Sequence, residues 1–284
     1  MSGDTQSPSS AGTLWVCGTP IGSLDDVTHS LRSVLGRVSV IACEDTRRTR
    51  ALLSSLEIPT PRLLSHRLDN ERASADGVLA VLVGGQDVAL VSDAGTPAIS
   101  DPGARLVRAA LDAGITVRSV VGPSAVTTAL SLSGCVATGH RFVGFLPRSG
   151  GEVSQLVRDH AHEVIVGFES PQRAASTLDC IAQAQPGRRV VVARELSKLH
   201  EQVLAGDAES IARQVELQPL RGEVVIVLDA MKSEPAAVTP RSLALVSAIA
   251  AEGVRMKTAC RIVAQHEEVS ARALYERMVE ASDH

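Results

Sequence analysis

From Leu14 to about Asp229 the chain alternates short β-rich runs with helical stretches, and this regular alternation constrains its fold more than any other feature. Runs of four to six β-formers separated by ten-residue helical patterns predict an α/β fold. Strands near 14–17, 38–42, 62–65, 87–91 and 116–120, with helices near 26–35, 46–54, 70–83 and 104–113, make one α/β domain over 13–122. The Gly122-Pro123-Ser124 segment opens a helix that runs to about Ser131 and stops at Gly134. It begins a second α/β domain over 123–231, with strands near 141–145, 164–168, 189–193, 201–205 and 223–228 and helices near 153–160, 172–184 and 208–215.

The periphery is simpler. Residues 1–12 are rich in Ser, Gly and Thr without periodicity and are expected to be a disordered tail. Residues 232–240 carry two prolines and read as a linker. Residues 241–284 form a small helical tail of three segments near 243–252, 256–265 and 271–280, a spacing shared by helix-turn-helix motifs and ordinary bundles.

Composition narrows the functional classes. A hydrophobic fraction of 44% over 284 residues supplies two cores, yet no apolar run is long enough to span a bilayer, so no membrane role is expected. Cys17, Cys43, Cys135, Cys180 and Cys260 are far apart and form no Cys-x-x-Cys pair, which favours reduced thiols and a cytoplasmic protein. A net charge of −4 excludes a protein that coats nucleic acid through bulk electrostatics. The aromatics (Trp15, Phe142, Phe145, Phe168 and Tyr275) are too few for an RRM- or OB-type stacking platform. His160 and His162, two apart, do not make metal-ligand spacing, and no metal is expected.

Three Gly/Pro-rich loops follow predicted strands, where open α/β sheets bind ligands. They are residues 18–24, residues 92–103 and residues 121–125. The first is neither a Walker A loop nor a G-x-G-x-x-G fingerprint, so no nucleoside triphosphate or dinucleotide is indicated. The third brings free helix amides, suited to a carboxylate or another anion. Each loop alone also reads as a plain strand-to-helix turn.

Together with downstream segments these loops resemble the tetrapyrrole methylases, the class III methyltransferases, over roughly 14–229. The segments are Trp15-Val-Cys-Gly-Thr-Pro-Ile-Gly-Ser-Leu, Ile41-Ala-Cys-Glu-Asp-Thr-Arg, Val91-Ser-Asp-Ala-Gly-Thr-Pro, Gly144-Phe-Leu-Pro, Phe168-Glu-Ser-Pro with Arg173, Ala193-Arg-Glu-Leu-Ser-Lys with Glu201, and Arg221-Gly-Glu-Val-Val. Within that superfamily they are most similar to the bacterial 16S rRNA cytidine 2′-O-methyltransferase branch. Ser23, Ser197, Phe168 and Arg221 stand where that branch usually has Asn, Thr, Tyr and Lys.

The resemblance implies two α/β domains with S-adenosylmethionine in the cleft between them, a small-subunit 16S rRNA acceptor and a homodimer. It assigns donor contacts to Pro20, Asp93, Ala94, Gly95, Thr96, Pro97, Pro123, Ser124 and Ala125, with further loops from the second domain. Asp93 reads equally as a brace for its own loop, and Gly95→Val is expected to block the donor and leave the fold intact. A ribose hydroxyl is a poor nucleophile, so a proton acceptor is expected among Glu44, Asp45 and His66 in the first domain and Glu169, Glu195 and Lys198 in the second. Asp45 is also placed to cap the following helix, and His66 also reads as a partly buried loop histidine. Arg47, Arg48, Arg50 and Arg67 form a local basic excess, either a phosphate-contacting edge or a solvated face. A tetrapyrrole- or corrin-precursor methylase on the same fold and a non-enzymatic ribosome-assembly RNA-binding protein are the alternatives.

Overall fold

The computed structural model describes residues 11–136, 139–231, 237–267 and 269–282. The expected disordered tail lies outside the described residues up to residue 10, as do residues 232–236 of the expected linker. At the start of the described chain the Gly12 amide already donates to the Leu82 carbonyl (2.8 Å). The chain divides into two compact units, Met1–Met231 and Lys232–His284.

In the first unit β1 (Leu14–Cys17), β2 (Val40–Cys43), β3 (Arg62–Ser65), β4 (Val88–Val91) and β5 (Val117–Val120) form a wholly parallel sheet in the order β3-β2-β4-β1-β5. Every residue of β2 and β4 is buried, which is why these strands read as unbroken apolar runs. Alternate residues serve opposite faces. Cys17, Ile41, Cys43, Ala89 and Val91 pack with α1 (His29–Arg37) and α2 (Thr46–Ser55). Leu14, Val40, Ala42, Val88 and Leu90 pack with α3 (Glu71–Val83) and α4 (Ala104–Asp112). Helix α1 starts later than its pattern suggests: Thr28 caps it by accepting from the Leu31 amide (3.1 Å), and residues 24–26 form a separate 3-10 turn.

The same unit contains a second sheet of β6 (His140–Phe145), β7 (Val164–Glu169), β8 (Arg189–Arg194), β9 (Gln202–Asp207) and β10 (Val224–Leu228), ordered β6-β7-β10-β8-β9. Only β6 and β7 pair in parallel, and the remaining pairs are antiparallel. Helices α6 (Gly150–Asp159), α7 (Ala174–Ala184) and α8 (Ala208–Leu217) cover one face. Helix α5 (Ala125–Ser133) covers the other and ends at Gly134 in the left-handed conformation (φ 66°), the stop expected for it. Ile21, from the loop after β1, is buried in that second core.

The second unit is a three-helix bundle of α9 (Pro240–Ala251), α10 (Met256–Glu267) and α11 (Ala271–Ser282), closed around Val246, Cys260, Val263 and Leu274. A reciprocal Thr239/Ser242 capping box with Pro240 in the first turn starts it. Among the described residues no helix is long and apolar enough to cross a membrane.

Candidate functional site

Because the first sheet is parallel, the loops after all five of its strands gather at one edge, and glycines let three of them touch. The Thr19 amide donates to the Gly95 carbonyl (2.9 Å) and the Gly95 amide returns the bond to Thr19 (3.1 Å). A Cβ on Gly18 would lie 2.8 Å from Gly122 Cα, closer than any side chain tolerates, so only glycine permits the first and third loops to meet. The first loop also docks on the turn after β8: the Ser23 amide donates to Ser197 Oγ (3.1 Å), whose hydroxyl bonds Asp26. Glu195 and Ser197 in that turn have positive φ (51° and 65°), uncommon for such residues. Glu201 Oε2, accepting from the Ser197 amide (2.6 Å), and Lys198, donating to Glu195 (2.8 Å) and Glu223 (2.9 Å), hold them there.

Beside these contacts lies a cleft-like cavity of about 420 Å³. Its walls include Ile21, Glu44, Arg48, residues 93–96 and 99–101, Ser124, Ala125 and Val126 from the first sheet's edge and α5. Phe145, residues 168–171 and residues 222–225 complete it from the second sheet. A second, more open pocket of about 430 Å³ is lined by Glu44, Asp45, Thr46, Arg47, Ser65, Arg67 and Asp93. Glu44 and Asp93 line both spaces and so form their shared wall.

Of the residues to which the resemblance assigns donor contacts, Asp93, Ala94, Gly95, Thr96, Ser124 and Ala125 line the cavity, whereas Pro20, Pro97 and Pro123 are not among its lining residues. Pro97 is buried, and the Pro123 carbonyl would lie 3.8 Å from a Cβ on Gly95, so these two stiffen and back the loops. Asp93 also braces: Oδ1 accepts from the Asp45 amide (3.0 Å) and Oδ2 lies 3.5 Å from Arg48 Nε. Gly95 has φ 75°, so a β-branched Val there strains the backbone itself as well as filling space, and a loss of donor binding in Gly95→Val would combine both effects.

Of the expected proton acceptors, Glu169 (2.6 Å from Arg173) and Glu195 (2.8 Å from Lys198) are held in ion pairs, and the other four separate clearly. Asp45 is the N-cap of α2: Oδ1 accepts from the Arg47 amide (2.8 Å), and the Arg47 guanidinium pairs with both carboxyl oxygens (3.2 and 2.8 Å). These bonds hold its carboxyl far below the usual range, which leaves a weak base and favours the cap reading. Asp45→Asn should accordingly leave the thermal midpoint almost unchanged, since Asn caps as well as Asp, whereas Asp45→Ala should lower it measurably. His66 is completely buried, its Nδ1 lies 2.6 Å from Ser74 Oγ, and it is absent from both cavity linings. Burial pushes its pKa down, so the ring is neutral. Lys198 lines neither space; burial opposes its charge, but Glu195 and Glu223 outweigh it and raise its pKa. Glu44 differs from all three: burial, reinforced by Asp93 and Asp101, raises its carboxyl pKa and makes it a better base.

The basic residues also divide. Arg47 and Arg67 line the polar pocket and Arg48 the first cavity, while Arg50 is exposed elsewhere on α2. Asp101 lies in the second loop but carried no assigned role, and reading of the loops alone misses Phe145 and residues 168–171 and 222–225. Their segments are visible as motifs, but nothing local shows that antiparallel pairing of β7 with β10 brings two of them together. Glu169 accepts from Arg173 and from Thr177 Oγ1 (2.6 Å) inside this wall and fixes the turn to Pro171. Among the described residues no group of three or more His, Cys, Asp or Glu could hold a metal ion.

The family model for tetrapyrrole (corrin/porphyrin) methylases matches residues 13–212. The chain is 38% identical over 277 residues to a Mycobacterium bovis protein named ribosomal RNA small subunit methyltransferase I, covering 96% of each chain. Proteins of the same name from Neisseria meningitidis (39% identity, 93% of this chain and 92% of the relative) and Streptococcus pyogenes (35%, 94% of each) are similar to it. Among solved structures, the fold is similar to a cobalt precorrin-4 methyltransferase (TM-score 0.57, 15% identity, 80% of this chain and 98% of that one). It is also similar to a uroporphyrin-III-C-methyltransferase from Thermus thermophilus (TM-score 0.52, 18% identity, 76% and 94%).

Proposed function

The chain belongs to the tetrapyrrole methylase family, and on that premise we propose that it is a cytoplasmic S-adenosylmethionine-dependent methyltransferase that methylates a cytidine ribose 2′-hydroxyl in 16S rRNA of the small ribosomal subunit. The observation that carries this reading is the shared wall. A largely apolar cavity built from the family's loops and a polar pocket bearing Arg47 and Arg67 meet at Glu44 and Asp93. A donor and a ribose flanked by phosphates need two such adjoining spaces.

The residues fit the donor. Glu44, Asp93 and Asp101 line the first cavity and suit a sulfonium cation. The first-turn amides of α5, which the Ser124 side chain does not cap, suit its carboxylate, and Phe168, Val224 and Val225 offer apolar surface for an adenine. The donor supplies an electrophilic methyl group, so the chain's task is to align the acceptor oxygen, exclude water and take up the hydroxyl proton. Glu44, free of the cap and ion pair that occupy Asp45, is the group proposed to accept that proton. Arg47 and Arg67 hold neighbouring phosphates in the open pocket.

Tetrapyrrole chemistry fits less well. The rRNA relatives match nearly the whole chain, whereas the two solved tetrapyrrole enzymes are themselves almost fully covered yet leave about a fifth of this chain unmatched. That remainder is close to the size of the second unit, which we propose engages the subunit. A homodimer and metal-free chemistry complete the reading.

Titration calorimetry in chelator should show binding of both S-adenosylmethionine and S-adenosylhomocysteine, and absence of heat for either would remove the donor site. Incubation with labelled donor should place label on undermethylated small subunits and not on precursor tetrapyrroles or naked rRNA. Arg47→Ala should weaken subunit binding and reduce its salt slope by about one while donor affinity holds.

A further inference from the structure

Two of the five aromatic residues, Phe145 and Phe168, line one cavity, and the more exposed of them is presented by a built distortion of its strand. Register along β6 and β7 shows this: Phe142 pairs with Val166 and Phe145 with Phe168, so three residues of β6 span two of β7. The extra residue is absorbed at a bulge where Gly144 takes φ 67°. Without it, period-two alternation would put Phe142 and Phe145 on opposite faces; with it, both pack edge-on against Phe168, at ring distances of 5.1 and 5.6 Å. Phe168 fixes the ring from inside, yet Phe145 remains 64% exposed while lining the cavity, which places it at the rim. Arg148, three residues on, is exposed and has no salt bridge among the described residues.

We propose that Phe145 is a stacking platform for the acceptor nucleobase, turned out of the RNA at the rim of the donor cavity. This rests on the function proposed above and adds the recognition element that a basic pocket alone lacks. Arginines holding phosphates fix the strand but not the rotation of a nucleoside, and a base laid on a fixed ring restrains that rotation and holds the ribose hydroxyl toward Glu44. A rigid aromatic with an exposed edge, next to unpaired positive charge, suits a base within an anionic strand better than a second protein. Stacking is tolerant of base identity, so Phe145 acts as a positioning residue.

The test compares Phe145→Ala, Phe145→Leu and Phe145→Trp with the parent, reading donor affinity by calorimetry and single-turnover methylation of undermethylated small subunits. The expected result is a loss of roughly ten- to a hundred-fold in subunit turnover at subsaturating enzyme for Ala and Leu, near-parent turnover for Trp, and donor affinity changed by less than about two-fold. Leu keeps apolar packing on Phe168 but cannot stack, so retained activity in Leu would overturn the proposal. Weakened donor affinity in Ala and Leu would instead assign Phe145 to the donor's adenine, and a change in oligomeric state would assign it to a contact between copies; either result overturns the proposal. A parent protein that fails to label subunits would refute the proposed function itself, an outcome distinct from failure of the Phe145 assignment alone.

Discussion

Glu44→Gln is expected to slow single-turnover methylation of the small subunit by roughly a hundred- to ten-thousand-fold, the range typical of a lost general base. Glu44 lines both the cavity and the polar pocket, so on the function proposed above its carboxyl lies where the two substrates meet. Its competitors are otherwise engaged: Asp45 by the α2 cap and Arg47, Lys198 by two glutamates, and His66 by burial away from both spaces. Asp93 and Asp101 remain to face the donor's positive charge, so donor affinity should change by less than about three-fold. The pH dependence carries the same signature. Burial and two neighbouring carboxyls raise the Glu44 pKa; the parent rate should therefore fall as pH drops through that raised value and the carboxyl becomes protonated. The Gln variant should lack that limb. A variant rate within about two-fold of the parent would show that Glu44 is not the proton acceptor.

The largest stability effect is expected at Arg188, a guanidinium that is only 2% exposed at the start of β8. It donates to the carbonyls of Asp229 (2.8 Å), Val157 (3.1 Å), His160 (3.3 Å) and Glu163 (2.8 Å) and to Gln185 Oε1 (2.5 Å). These bonds tie together the ends of α6, α7, β8 and β10. Burial pushes its pKa down to about 10, so it remains charged at neutral pH. Arg188→Met fills similar volume but strands five acceptors in a dry interior, and the expected cost is about 3–5 kcal/mol in urea-unfolding free energy. Arg188 lies at the opposite end of β8 from the turn that meets the first loop, so donor affinity below the variant's melting temperature should be unaffected. A cost below about 1 kcal/mol would mean that water replaces the guanidinium.

The limits of local reading show at particular residues. The order of elements was legible because buried parallel strands such as β2 and β4 are continuous apolar runs and because Gly134 marks a helix end by its own chemistry, whereas Thr239 and Pro240, read as linker, start α9 three residues before the expected 243. The cavity-lining loops after β1, β4 and β5 were legible because close approach leaves glycines at fixed places, as at Gly18 and Gly122. Whether Asp45 was a base or a cap was not legible, because either role needs a carboxylate at the end of a strand. The rotation of Arg47 back onto Asp45 separates the two readings.

The sequence by itself thus determined the α/β class, the family, the Gly/Pro-rich loops at the strand ends and the local basic excess, all of which depend on residue types at short separations. Tertiary structure alone decided the mixed pairing of the second sheet and the meeting of residues 168–171 with 222–225 around the cavity. It also decided the bulge that re-aims Phe145 and the placing of Glu44 in the walls of both spaces. The physical reason is common to these cases. A pKa, a cavity wall and a side chain's direction depend on groups brought near from distant parts of the chain, and the spacing of neighbours along the chain does not encode what will face them.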